Sequence, residues 1–268
     1  MGNLSTELID TLRVRIAGLE RRHDRRPRSP MLPLGLPAID AALPGGGLGL
    51  GGLHEVAGAG PDSEHGAAAA LWTAGLLGRL RGPVLWVVER RDLFAPALAA
   101  VGLHPDRVIY AEAGKPATVL LVMEEGLRHP GLAGVVGELG GRLTLASSRR
   151  LQLAAEASGV TGIALRRSRR HDDPAFSAPS AALTRWRVAA LPSPPPLAHV
   201  PTSPGLARPR WRLELTRCRG GEAASWIVEA CDAKGRLGLA AAVADGSAAP
   251  AGERLARERG AEERRAAG

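Results

Sequence analysis

Short apolar runs alternate with longer helical patterns between residues 31 and 191, and this alternation constrains the fold more than any other feature of the chain. The run at 84–88 (VLWVV) is apolar at every position, which is typical of a strand buried on both faces of a sheet. Further strands are predicted at 53–56, 107–111, 133–137, 162–165 and 181–190, and helices at 67–80, 93–101, 118–128 and 147–158. Such alternation predicts an α/β core, residues 31–191, with a mainly parallel sheet and helices on both faces.

The regions on either side of this core differ from it in composition. Residues 1–30 are predicted to form an N-terminal amphipathic helix at 4–22 and a basic, proline-containing linker. Residues 192–209 are rich in proline, which predicts an extended linker. A small C-terminal antiparallel β unit is predicted at 210–245, with strands at 211–217, 225–231 and 237–243. Residues 246–268 have almost no bulky apolar side chain and are predicted to be a disordered tail or a frayed helix.

The composition excludes several classes of protein. The chain has 268 residues, of which 45% are hydrophobic and 23% charged, and no apolar run reaches the roughly 18 residues that cross a bilayer. The N-terminus lacks the features of a secretory signal, so we expect a cytoplasmic protein with no membrane partner. Two cysteines, Cys218 and Cys231, are too few for a disulfide framework or a thiolate zinc site. The histidines also lack metal-ligand spacing, so no metal site is predicted.

Positive charge suggests nucleic acid as a partner, with a formal net charge of +8. Only two of the basic residues are lysines, as a GC-rich coding sequence produces, so the position of the arginines matters more than their number. Four arginines follow the 162–165 strand and could neutralise several DNA phosphates: Arg166, Arg167, Arg169 and Arg170. A solvated loop is the alternative interpretation, and the low aromatic content of 3% argues against a stacking platform for single strands.

A glycine-rich segment, residues 58–68 (GAGPDSEHGAA), connects a predicted strand to a predicted helix. This is the setting of a phosphate-binding loop, in which backbone N–H groups and the helix N-terminus face the anion. Gly58, Gly60 and Gly66 would be its glycines, but five residues separate Gly60 from Gly66 where a working loop has four.

The side chains of this loop depart further from a working nucleotide site. Ala67 and Ala68 stand where such a loop has its lysine and its magnesium-binding hydroxyl. Asp62 and Glu64 add negative charge where a polyphosphate would lie. The segment is therefore predicted to be a vestigial nucleotide site, and no cofactor is expected.

Two carboxylates follow predicted core strands. Glu89 comes after the 84–88 strand, and Glu138 follows the 133–137 strand, where an NTPase keeps the acid that organises Mg²⁺. Both would lie at the carboxyl edge of a parallel sheet, where ligands bind in open α/β folds. Each is either part of the vestigial site or an exposed or salt-bridged side chain.

An ordered series of motifs resembles a known family. The entry segment 34–43 (LGLPAIDAAL), with glycines at 45–47 and GLHEV at 52–56, resembles the start of a RecA-type ATPase core. The whole series resembles the ImuA family, RecA-like proteins of bacterial damage-inducible mutagenesis, over about 34–243. The remaining segments of the series are 93–98, 123–128, 135–139, 184–193 and 211–217 with 219–221. The segment 184–193 is the most specific part of the series.

The resemblance implies a RecA-like P-loop NTPase core and a role in the SOS response, DNA repair and error-prone translesion synthesis. The implied partners are an ImuB-like Y-family polymerase homologue, an error-prone replicative-type polymerase and DNA. By the same resemblance, Gly60 and Gly66 match the phosphate loop, Glu89 the acid after the second core strand and Glu138 the magnesium-organising acid.

Ala67 and Ala68 depart from the RecA pattern, so the preferred hypothesis is a non-catalytic accessory protein that binds the other mutagenesis proteins. A DNA-dependent ATPase with an atypical phosphate loop and a simple DNA-binding module remain as alternatives. The oligomeric state is not predicted.

Overall fold

The computed structural model describes residues 30–197, 200, 202 and 204–240, and one large sheet runs through them. The predicted helix at 4–22, the predicted tail at 246–268 and positions 241–245 of the predicted β unit lie outside these residues. The strands are β1 (Met31–Leu32), β2 (Leu48–Gly49), β3 (Leu53–Gly58), β4 (Val84–Val88), β5 (Val108–Glu112), β6 (Gly134–Gly140), β7 (Thr161–Arg167), β8 (Thr184–Leu191), β9 (Arg210–Cys218), β10 (Ala224–Glu229) and β11 (Gly238–Leu239). The helices are α1 (Pro37–Asp40), α2 (Asp62–Gly78), α3 (Ala95–Ala100), α4 (Pro116–Leu127) and α5 (Leu145–Ser158), with 3₁₀ turns at Pro105–Arg107 and Pro174–Phe176.

The strands of the large sheet follow the order β11-β10-β9-β8-β3-β7-β6-β4-β5. The six strands from β8 to β5 are parallel, and β9 and β10 continue the sheet in antiparallel fashion beyond β8. Strands β1 and β2 pair separately in an antiparallel ribbon. The predicted α/β class with a mainly parallel sheet is confirmed, and the strands of the predicted β unit share one sheet with the core.

The start of α2 differs from the prediction. The helix begins at Asp62, five residues before the predicted 67, and Pro61 precedes it with extended backbone. Asp62 and Glu64 lie in its first turn, where carboxylates interact favourably with the positive end of the helix dipole. The apolar periodicity did not indicate this turn, because residues 62–66 are polar or small.

Helices cover both faces of the parallel strands. Helix α2 is buried on nearly all sides over its later turns, as is typical of a helix in the interior. Its Trp72 packs against Trp186 of β8, with ring centroids 5.0 Å apart and planes tilted by 57°. On the other face, α4 and α5 contribute Met123 and Leu151 to a second buried cluster around Val87 of β4.

The buried side chain of His54 connects the β1–β2 ribbon to the large sheet. Nε2 of His54 lies 2.8 Å from the carbonyl oxygen of Gly49, which can only accept, so this nitrogen carries the proton. Nδ1 therefore accepts from the hydroxyl of Thr184 at 2.7 Å, and that same oxygen accepts from the indole N–H of Trp186 at 2.8 Å. The ring is held neutral, and burial lowers the pKa of His54 to about 4.

We expect His54 to make the protein less stable in mild acid. Its ordinary pKa is 6.5, so between pH 6.5 and about 4 the unfolded chain binds a proton that the folded chain does not. The free energy of unfolding should fall over this window, by about 3 kcal/mol in total from this group. Urea unfolding of the wild-type protein and of His54→Gln at pH 7 and pH 5 measures the difference.

His104→Gln is the matched control, because His104 is largely exposed beside Asp106. His104→Gln should lose as much free energy of unfolding between pH 7 and pH 5 as the wild-type protein does. The prediction is wrong if His54→Gln also loses as much as the wild-type protein.

Candidate functional site

A cleft of about 570 Å³, here called the edge cleft, opens at the carboxyl ends of β4, β6 and β7 beside the start of α2. Ligands bind in this position in open α/β sheets. The edge cleft is lined by Asp62, Glu89, Asp92, Glu138 and Arg167, with Arg169 and Arg170 also on its wall. The fold therefore brings together residues from the predicted loop, both predicted carboxylates and part of the predicted arginine run.

Arg167 lies at the centre of the edge cleft and forms ion pairs with three carboxylates. Its Nε lies 2.8 Å from Oδ2 of Asp62, its Nη1 3.1 Å from Oε2 of Glu138, and its Nη2 2.8 Å from Oδ2 of Asp92. These acids come from the start of α2, from β6 and from the loop after β4. A single guanidinium therefore links three separate parts of the chain to the end of β7.

Burial and charge oppose one another at Glu138, whose side chain is only 3% exposed. Burial raises the pKa of Glu138, while the indole N–H of Trp86, 2.8 Å from Oε1, and the charge of Arg167 lower it. For Arg167, burial works against the charged form, but Glu138, Asp62 and Asp92 together raise its pKa above the ordinary value. The guanidinium is therefore charged at any physiological pH.

The N–H groups of the predicted phosphate loop are largely engaged within the protein. Ala59 donates to the carbonyl of Val188 at 3.0 Å, and Asp62 donates to the carbonyl of Ser168 at 2.8 Å. The N–H groups of Glu64 and His65 both bond to the carbonyl of Pro61 at 3.0 Å. These four donors point into turns and neighbouring strands instead of towards a bound anion.

The glycines and alanines of the loop fall in different places. Gly58 ends β3, and Gly60 is buried in the short turn before α2. Gly66, Ala67 and Ala68 lie inside α2, beyond its first turn. A Cβ at Gly66 would be 3.0 Å from Cβ of Asp62, so this glycine allows the acid that pairs with Arg167 to pack closely.

Glu89 lies beside Gly140, the first glycine after Glu138. Its Oε2 is 2.9 Å from the position that a Cβ on Gly140 would take, so the small residue leaves room for the carboxylate. Both predicted acids thus lie on the edge cleft, as expected from the ends of their strands.

The four arginines of the predicted DNA-binding run have three different environments. Arg166 is 2% exposed and pairs with Glu55, its Nη1 lying 3.2 Å from Oε2 of that acid. Arg167 is held by the acids of the edge cleft, whereas Arg169 and Arg170 are exposed. Strand β7 extends to Arg167, two residues beyond the prediction, and strand alternation sends Arg166 and Arg167 to opposite faces. Only Arg169 and Arg170 present their guanidinium groups to solvent.

The sequence analysis did not identify the buried acid Glu55 or its ion pairs with Arg166 and Arg185. Glu55 of β3 lies opposite Arg185 of β8 in the parallel register, with Nη2 of the arginine 3.1 Å from Oε1. Glu55 sits inside the buried strand LHEVAG, and an acid in a strand with apolar residues on both sides was the one available indication.

The described residues contain neither a membrane-spanning helix nor a cluster of potential metal ligands. None of their helices is long and apolar enough to cross a membrane. No cluster of three or more His, Cys, Asp or Glu side chains that could hold a metal ion occurs in this part of the chain.

The fold of this chain is similar to that of a known recombinase. A crystal structure of the RadB recombinase superposes with a TM-score of 0.54 at 18% sequence identity, covering 79% of this chain and 100% of that one. The predicted RecA-like core is therefore confirmed at the level of the fold. No protein-family model matches the sequence.

Two curated relatives are similar over most of their length. Protein ImuA from Caulobacter vibrioides strain NA1000 / CB15N is 44% identical over 216 residues, which is 78% of this chain and 86% of the relative. Protein ImuA from strain ATCC 19089 / CIP 103742 / CB 15 of the same species matches with the same identity and coverage. The resemblance found in the sequence motifs is confirmed: this chain belongs to the ImuA family.

Proposed function

We propose that this chain is a non-catalytic, RecA-like accessory protein of SOS-induced, error-prone translesion synthesis. Membership of the ImuA family and the RecA-like fold support an accessory role in mutagenesis. The observation that carries the non-catalytic part is the position of Arg167, whose guanidinium is bonded to Asp62, Asp92 and Glu138 within the edge cleft.

The residues of the edge cleft do not fit a magnesium-bound triphosphate. Ala67 and Ala68 offer neither an ammonium group nor a hydroxyl, so the lysine contact to the phosphates and the hydroxyl contact to the metal ion have no counterpart at these positions. Four N–H groups of this segment, those of Ala59, Asp62, Glu64 and His65, donate to carbonyl groups of the protein. No step through a bound nucleotide can be built from these side chains.

Charge balance gives a second reason. Glu138, which would organise Mg²⁺ in a working NTPase, is already neutralised by Arg167. A metal ion that used Glu138 would compete with Arg167 for a buried carboxylate, and breaking a buried pair costs about 3–5 kcal/mol. The arginine thus replaces internally the positive charge that a lysine and a metal ion supply elsewhere.

A fold without this chemistry can still bind proteins. Strand β5 is the edge of the large sheet, and its Ile109 and Tyr110 are 52% and 43% exposed. Phe94, which precedes α3, is 70% exposed. Unpaired strand edges and exposed apolar side chains favour partner binding. We propose that the partners are an ImuB-like polymerase homologue and an error-prone replicative-type polymerase, met in the cytoplasm.

DNA binding is a second candidate function, favoured by the exposed guanidinium groups of Arg169 and Arg170 on the wall of the edge cleft. Neither forms an ion pair with another described residue, so both are available to a phosphate backbone.

The first prediction concerns nucleotide. The purified protein should show no ATP hydrolysis above background and no change in melting temperature with ATP and Mg²⁺. A ligand that bound at a hundredfold excess over its Kd would stabilise the fold by about 2.7 kcal/mol, which a melting curve detects easily. ATP turnover that disappears in Glu138→Gln would overturn the proposal, because this variant removes the acid without enlarging the side chain.

Removal of the arginine should expose an unpaired charge. We expect Arg167→Met to lower the free energy of unfolding by about 2 kcal/mol at pH 7.5, because Glu138 and Asp62 lose their counter-charge. Burial already raises the pKa of Glu138, and loss of Arg167 raises it further, so the folded variant takes up a proton more readily than the unfolded chain. The deficit should therefore shrink as the pH falls towards 5.

Urea unfolding of four proteins tests this interpretation: wild type, Arg167→Met, Glu138→Gln and the double variant. The double variant should recover part of the loss, since it no longer contains the buried, unpaired charge. An equal deficit at both pH values in Arg167→Met, unchanged by Glu138→Gln, would contradict the assigned ion pair.

The partner proposal predicts stable co-purification of the full chain with the ImuB-like protein of the same organism at micromolar concentration, without added nucleotide. Ile109→Glu combined with Tyr110→Glu should weaken the complex at least tenfold, because both changes add charge to the exposed edge of β5. Arg81→Glu, an exposed residue ahead of β4, is the matched surface control. Absence of a complex, or a complex that requires ATP, would count against the accessory role.

A further inference from the structure

A second cleft, here called the arginine cleft, lies between the 3₁₀ turn Pro174–Phe176 and strands β3, β8 and β9. It has a volume of about 350 Å³ and shares no lining residue with the edge cleft. Its charged residues are four arginines and a single acid: Arg166, Arg185, Arg187, Arg217 and Glu55. This is a strong local excess of positive charge in a concave surface.

Glu55 neutralises only the two inner arginines. Its Oε2 accepts from Nη1 of Arg166 at 3.2 Å, and its Oε1 accepts from Nη2 of Arg185 at 3.1 Å and from the hydroxyl of Ser180. Both carboxylate oxygens are therefore engaged by inner residues, and Glu55 forms no ion pair with Arg187 or Arg217.

The nearest other acid on these strands is also engaged. Glu214 of β9 lies opposite Arg187 in the antiparallel register, but its ion pair is with Arg212, whose Nε lies 2.8 Å from Oε1. Arg187 makes no ion pair with any described residue, and Arg217 donates only to backbone carbonyls, that of Ser180 at 2.7 Å being the closer.

Donors in the floor of the cleft are left unused. The Nε atoms of Arg166 and Arg185 are buried and have no hydrogen-bond partner among the described residues. Burial lowers the pKa of Arg166, and the charge of Arg185 adds to this effect while Glu55 opposes it. Grouping cations in this way is unfavourable unless an anion compensates them.

We propose that the arginine cleft is an anion site that takes a phosphate group, held at its mouth by Arg187 and Arg217. Hydroxyl groups of Ser177 and Thr216 line the same cleft and can also donate. A phosphate group fits better than a carboxylate, because its three or four oxygens can accept from more guanidinium N–H groups than two oxygens can. The site does not depend on the proposed loss of ATP hydrolysis, which concerns the edge cleft.

The phosphate can belong to a small phosphate compound or to the backbone of a nucleic acid, and two probes distinguish these sources. Pyrophosphate represents the first and a single-stranded oligothymidine the second. The full chain should bind at least one of them at low salt, measured by calorimetric titration for pyrophosphate and by fluorescence anisotropy for the oligonucleotide.

Arg187→Gln combined with Arg217→Gln should weaken that binding at least tenfold, since the variant loses two charge-assisted contacts to the phosphate oxygens. Arg81→Gln is the matched control, because it removes one exposed guanidinium beyond the opposite end of the parallel strands and should leave the affinity unchanged. Arg187→Gln alone is the second test variant, because Arg187 makes no ion pair whose loss would unfold the protein.

The pattern of losses decides the outcome. Pyrophosphate binding that depends on Arg187 supports a small phosphate ligand. Oligothymidine binding that depends on Arg187 more than on Arg169→Gln with Arg170→Gln supports a nucleic-acid backbone at the arginine cleft. The proposal is overturned if neither probe binds, if Arg81→Gln weakens binding as much as Arg187→Gln does, or if only an acidic peptide such as oligoglutamate binds.

Discussion

The ion pairs of Arg167 are the interaction on which the arrangement at the carboxyl edge of the sheet depends. One guanidinium joins the end of β7 to Asp62 at the start of α2, to Glu138 on β6 and to Asp92 in the loop after β4. Each of these segments carries negative charge to the same place, and burial makes isolated carboxylates unfavourable there. Without the central cation the acids would repel one another, so the shape of the edge cleft follows from this one side chain.

Neighbouring positions on β7 divide the charge between the two faces of the sheet. Arg167 compensates the acids of the edge cleft, whereas Arg166 points to the other face and pairs with Glu55 in the arginine cleft. The edge cleft contains more acids than bases, and the arginine cleft contains more bases than acids. Adjacent residues of one strand thus contribute to two clefts that differ in their charge balance.

The sequence predicted the elements of the fold better than the charged contacts between them. The apolar run of β4 was predicted with its observed bounds, because continuous burial leaves a clear pattern. The first turn of α2 was missed because its stability comes from Asp62 and its partner Arg167, which are 105 residues apart. The pairing of Glu55 with Arg185, separated by 130 residues, likewise depends on strand order and register, which a local pattern does not contain. Charge neutralisation across such distances is what the sequence alone could not supply.

Much of the packing of α2 lies away from the edge cleft. Helix α2 is anchored by the contact of Trp72 with Trp186 and by burial along its length, none of which involves the edge cleft. At the cleft itself, Arg167 supplies positive charge to the acids, and carbonyl groups of the protein accept from four N–H groups of the loop. In a protein whose site is completed by a ligand, the surface near that site changes when the ligand binds or leaves. Here Arg167 of the same chain pairs with the three acids, so the ion pairs of the edge cleft are formed within the protein.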